Sequence, residues 1–87
     1  MTSSSQLELL RLHRADVRDL LAGFGFTDLR VALRQPTAVL ARPGADVTLG
    51  DLLKAEEALS DFLLVDVEIV SVRSELGREL APDSVAL

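Results

Sequence analysis

The run Leu63-Leu64-Val65-Asp66-Val67-Glu68-Ile69-Val70-Ser71-Val72 constrains this chain more than any other stretch, because it is β-prone and alternates acidic with apolar residues. Period-two alternation predicts a strand over 64–72 with Val65, Val67 and Ile69 on one face and Asp66 and Glu68 together on the other. Two carboxylates on one strand face can chelate a hard cation or simply meet water. Those alternatives separate an enzyme from a binding module.

The flanking signals are helical. Ser5-Gln6-Leu7-Glu8 reads as a capping box that opens a first helix. Leu10, Val17, Leu21 and Phe24, with Leu20 beside them, recur on one face, and Gly23 and Gly25 can supply a left-handed stop after about five turns. Leu29 to Arg34 then alternates apolar and basic residues like a half-buried strand. Gln35-Pro36 breaks the ladder, a second short strand follows over 37–42, and Pro43 to Asp46 reads as a turn. Thr48-Leu49-Gly50-Asp51 is a weaker capping signature that opens a second helix through Leu63, with Leu49, Leu52, Leu53, Leu59, Phe62 and Leu63 as its buried stripe. Arg73 to Leu80 can add a turn or two of helix before Pro82. The expected architecture is one α+β domain over residues 1–87: a small mixed sheet of three strands with the two main helices packed on one face.

Composition narrows the function. An 87-residue chain without cysteine has neither disulfides nor a thiolate metal site, which fits a cytoplasmic address. A domain of this size buries only about 60% of its unfolded surface, so association as a homo- or hetero-oligomer is expected, the more so because its short strands show no obvious edge protection. Three phenylalanines and no Trp or Tyr leave little to stack on nucleic-acid bases. No apolar run approaches the roughly 18 residues of a membrane span, and no secretory signal is visible, so a soluble, unprocessed protein is expected. Residues 1–43 carry six arginines against four acids, a net of +2; residues 44–87 carry three cations against ten acids, a net of −7. The acidic half argues against general affinity for phosphate backbones, and it suits either a basic protein partner or solvent.

Asp66 and Glu68 are the sole candidates for a catalytic pair or a magnesium site, since a hard divalent cation takes one or two carboxylates plus substrate phosphates. No glycine-rich phosphate loop accompanies them. His13 has no second histidine, cysteine or serine partner, which excludes a triad or zinc site in practice. Arg30 and Arg34 lie two residues either side of Ala32 on the outward face of the first strand, able to meet phosphate, a partner's carboxylate or water.

Arg11-Leu12-His13-Arg14-Ala15-Asp16-Val17, followed by Gly25-Phe26-Thr27-Asp28-Leu29-Arg30-Val31, resembles the opening helix and first strand of bacterial minimal nucleotidyltransferases of the polymerase-β superfamily. Pro43-Gly44 with Thr48 to Leu53 is similar to that family's turn and second helix, Val67 to Ser71 to its final strand, and Ser84 to Leu87 to its ending. The likeness spans about nine-tenths of the chain through the order of its pieces. The family's Gly-Ser-x-x-x-Gly turn and Asp-x-Asp metal pair have no counterpart: no Gly-Ser occurs after Val31, and no acid lies between Asp28 and Asp46. Only the third carboxylate has an equivalent, at Glu68. The resemblance therefore implies a nucleotidyltransferase-like fold that has lost its active site, with no catalytic residue and no cofactor. It also implies a role as an antitoxin that pairs with a toxin, such as a HEPN-type ribonuclease.

The expectation is thus a non-catalytic interaction protein, with Arg30, Arg34, Asp66 and Glu68 as partner-binding candidates. Two alternatives stand beside it: a metal-dependent nucleotidyl or phosphoryl transferase using Asp66 and Glu68, and a homo-oligomeric scaffold.

Overall fold

The computed structural model describes residues 8–34 and 38–87. The Ser5 cap, the Gln35-Pro36 strand break and Thr37 lie outside the described residues.

Residues 8–12 are helical, and α1 follows at Arg14–Gly23. His13 between them departs from helical dihedrals (φ −103°, ψ 24°), yet its N–H still donates to Leu9 O and its carbonyl still accepts from Val17 N. The ladder therefore runs through the kink, and Leu10, Val17 and Leu21 share one buried face as their spacing predicts. Of the two glycines expected to stop this helix, Gly25 takes the left-handed conformation (φ 91°), while Gly23 is the last helical residue. An added Cβ at Gly25 would come within 2.6 Å of Val47 Cγ2, and its carbonyl accepts from Gly44 N at 2.8 Å.

Strand β1 spans Phe26–Ala32, starting three residues before the predicted strand and leaving Leu33 and Arg34 beyond its end. Phe26 and Leu29 both belong to the core although they lie three positions apart, which period-two alternation cannot satisfy. A bulge resolves the conflict. Thr27 pairs with Arg42 and Arg30 with Leu40, so Asp28 and Leu29 together oppose Ala41, and Asp28 absorbs the extra residue at φ 52°.

Strand β2, Ala38–Pro43, runs antiparallel to β1, and helix α2 crosses from it to the parallel strand β3, Glu68–Ser71. Helix α2 spans Leu49–Leu63, as its cap predicts. Thr48 Oγ1 accepts from Asp51 N at 3.2 Å, and the Asp51 carboxylate accepts from Thr48 N at 3.0 Å. Hydrogen bonding to the Asp51 carboxylate, from the Thr48 main-chain N–H foremost and then from the Thr48 side chain, holds the carboxyl below its ordinary pKa.

The buried stripe of α2 differs from the expected one. Ala55, Leu59 and Leu63 are buried and Leu52 is half-buried, whereas Leu49, Leu53 and Phe62 are 73%, 55% and 45% exposed. The helix is apolar over a wider arc than the sheet covers, and Ala55 lies fully buried within it. Strand β3 is also shorter than the predicted 64–72. Leu64 caps α2 in the left-handed conformation (φ 61°), so Asp66 precedes the strand instead of sharing it with Glu68.

Beyond β3 lie α3 (Glu75–Leu80), a 3₁₀ turn (Ala81–Asp83) and β4 (Ser84–Ala86). Among the described residues the sheet therefore has four strands, not three, in the order β3-β2-β1-β4. Val31, Val39, Val67 and Ile69 pack in one cluster with residues of α1 and α2; Ala32, Ala38, Leu40 and Val70 form a second cluster with Leu80 of α3. Because α3 covers Ala32, the face that Arg30 and Arg34 share with it is not simply outward. Side chains of α2 cover the outer edge of β3, so at this one edge the expectation of unprotected strands does not hold: Ile69 N donates to Glu56 Oε2 at 2.9 Å, and Val67 N donates to Ser60 Oγ at 3.0 Å.

Candidate functional site

Two surface regions of opposite charge flank this frame. The first lies between α2 and the approach to β3, where Asp66 and Glu68 come together with Glu56, Glu57 and Asp61 around a shallow depression of about 400 Å³. Thus the two expected acids share a site, although only Glu68 is on the strand. Glu56 is committed to Ile69 N, so one of the five carboxylates already serves the fold. Among the described residues, no group of three or more His, Cys, Asp or Glu side chains is placed to hold a metal ion.

The rim of this depression carries the feature that periodicity misassigned. Leu49, Leu53, Glu57 and Asp61 follow one another at four-residue spacing, which sets them along one ridge of α2. The ridge is apolar at its start and acidic at its end. Leu53 lines the depression itself.

Arg30 and Arg34 are separated. Arg30 is half-buried and donates from Nε to Ser84 Oγ at 2.7 Å and from Nη2 to Ser84 O at 2.9 Å, stitching β1 to β4 across one face. Arg34 lies past the strand and meets Asp83 at 3.9 Å, with both side chains mostly in water. That pair contributes at most about 1 kcal/mol. His13 packs edge-on against Phe62, ring centroids 5.6 Å apart, and so joins α1 to α2.

The second region was not read from the sequence. A cleft of about 580 Å³ opens along the bulged half of β1, beyond the short β4, lined by Arg18, Arg30 and Arg42 with Thr27, Asp28 and Ala86. Arg18 Nη2 donates to the Leu87 main-chain oxygen, and Arg42 Nε meets Asp28 Oδ2 at 3.0 Å. Three arginines and a single acidic side chain, Asp28, line this cleft, with Arg18 already engaged by the last residue, Leu87, on a chain whose net charge is −5. The left-handed Asp28 at its centre costs roughly 1 kcal/mol of backbone strain, less than most side chains because Asp tolerates that conformation. The sequence did hold one signal, the Phe26 to Leu29 spacing that forces the bulge.

No family model, curated protein or solved structure matches this chain. Among the described residues, no helix is long and apolar enough to cross a membrane.

Proposed function

We propose that this chain is a non-catalytic protein-binding subunit, antitoxin-like, that neutralises a partner in the cytoplasm by covering it. The observation that carries this reading is the exposed Leu49–Leu53 pair abutting the acidic depression of Glu57, Asp61, Asp66 and Glu68. Leucines 73% and 55% exposed at the start of a helix whose later turns are acidic form an apolar contact with a charged rim, the anatomy of a protein interface. The partner surface that fits it is apolar with basic surroundings, and electrostatic steering would bring the two together.

The nucleotidyltransferase-like reading of the fold belongs to the same proposal. The order helix, strand, strand, helix, strand supports it, with an antiparallel first pair and a parallel second. In that reading Glu68 stands at the third carboxylate position alone, since the sequence has neither the Gly-Ser turn nor the Asp-x-Asp pair that would hold a triphosphate and its metals. A HEPN-type toxin is the partner that the resemblance suggests.

Co-expression with the product of the adjoining reading frame, followed by light scattering of the purified material, tests the proposal. A hetero-complex of defined mass is expected, and Leu53→Asp should abolish it while leaving the helical circular dichroism intact. Association should slow as ionic strength rises. A complex that forms equally well with Leu53→Asp and with Asp66→Lys would remove this surface from the interface.

A further inference from the structure

The cationic cleft lies at the β1–β4 end of the sheet, the far end from β3, and has no part in that interface. We infer that the cleft between α1, the bulged half of β1 and the end of β4 binds a small organic polyanion, a molecule carrying two or more phosphate or carboxylate groups. Three features point there together. Its volume of about 580 Å³ falls within the roughly 300–1,000 Å³ of small-molecule sites and exceeds what a single inorganic anion fills. Its cations come from three different elements, Arg18 from α1, Arg30 from β1 and Arg42 from β2, so the fold converges them from positions with no sequence proximity.

Its guanidinium groups are also held in place. Arg30 is tied to Ser84 by two hydrogen bonds, which fixes its orientation before any ligand arrives, and Arg18 meets the Leu87 main-chain oxygen. Arg42 is held differently. Its Nε meets Asp28 through side chains that are 58% and 69% exposed, so this ion pair adds little to the fold and can be displaced. The terminal amino groups of Arg42 remain able to donate to an incoming oxyanion in the bidentate manner that guanidinium favours. Asp28 then acts as a placeholder anion. The bulge aims it at the cleft, and a ligand with more charge would take its arginine.

The test is a titration of isotope-labelled protein with citrate and, separately, with inorganic phosphate, at constant ionic strength, followed by amide chemical shifts. Saturable shifts are expected at Thr27, Asp28, Arg30 and Ala86, with citrate the tighter probe. Arg42→Gln should weaken citrate binding about tenfold, the loss expected of a charge-assisted hydrogen bond. Asp28→Asn should tighten it, because it removes the competing charge while asparagine keeps the left-handed backbone. Arg78→Gln changes the net charge equally from a site on α3 outside the cleft, and should change nothing. Saturation by phosphate as well as citrate assigns the site to anionic charge in general, and saturation by citrate alone assigns it to polycarboxylates. Absence of saturable shifts with either probe, or equal weakening by Arg78→Gln and Arg42→Gln, would overturn the proposal.

Discussion

The Glu56 carboxylate on α2 accepts a hydrogen bond of 2.9 Å from the main-chain N–H of Ile69 on β3, and so closes an open strand edge from within the same crossover unit. One helical turn later, the Ser60 hydroxyl accepts from Val67 N at 3.0 Å and donates to Val67 O at 3.3 Å. At the far end of the strand, Ser71 O accepts from Ser74 N and Ser74 Oγ. The inner edge is taken by β2, where Val72 N donates to Ala41 O. A further strand could not add to β3 without displacing these side chains.

Glu56→Ala should therefore lower stability by about 1–2 kcal/mol in a urea melt, and Glu56→Gln by less, because its amide oxygen can still accept. Hydrogen exchange at the Ile69 amide should speed up in the alanine variant. Unchanged exchange there would show that water serves the edge as well as Glu56 does.

Glycine 77 sets the contact between α3 and the end of β3. A Cβ at that position would run into the Ser71 main-chain carbonyl and approach Val72 Cα to 3.0 Å, and neither is a side chain that can move aside. Gly77→Ala should cost about 3 kcal/mol. Gly23→Ala, at the last residue of α1 with nothing within 4 Å of the added methyl, should instead gain about 0.5 kcal/mol. Thermal melts of the two variants that shift in the same direction would contradict the packing described for α3.

The two leucine classes on α2 should separate cleanly. Leu59 is fully buried, so Leu59→Ala should lose about 2–5 kcal/mol through lost contacts and the cavity left behind. Leu53→Ala and Asp66→Asn should each stay within about 0.5 kcal/mol, as exposed positions do. A large loss at Leu53 would mean that it serves the core and is not free to meet a partner.

Asp51 makes the start of α2 sensitive to acid. Because hydrogen bonding lowers its pKa in the folded state, its contribution is present above the unfolded carboxylate range and is lost as pH falls through the lowered value. Asp51→Asn cannot titrate. The difference in melting temperature between wild type and this variant should be fully developed at neutral pH and shrink on acidification; a difference independent of pH would assign the cap to Thr48 alone.

Local signals in this sequence were legible and long-range ones were not. The bounds of α2 could be read because Thr48 and Asp51 cap each other three residues apart. Strand β4 could not, since three residues carry no periodicity and their partners, Arg30 to Ala32, lie more than fifty positions away. Helical spacing placed Leu59 and Leu63 correctly but could not locate the centre of the apolar arc, which falls near Ala55 and leaves Leu49 and Leu53 outside. Asp66 and Glu68 do share a site, yet the strand that was to align them begins only at Glu68. The alternation about Ala32 pairs Arg30 with Arg34. The neighbours of Arg30 in the cleft are instead Arg18 and Arg42, which only the fold brings near.

The central proposal, neutralisation by covering and not by chemistry, is tested most directly by titrating this protein into the purified product of the adjoining reading frame while following the ribonuclease activity that the proposal expects of that product. Inhibition is predicted to be immediate, to saturate at a fixed molar ratio and to be the same with or without ATP and magnesium. Sub-stoichiometric inhibition that requires both, with a labelled nucleotide left on the partner and abolished by Glu68→Gln, would contradict it.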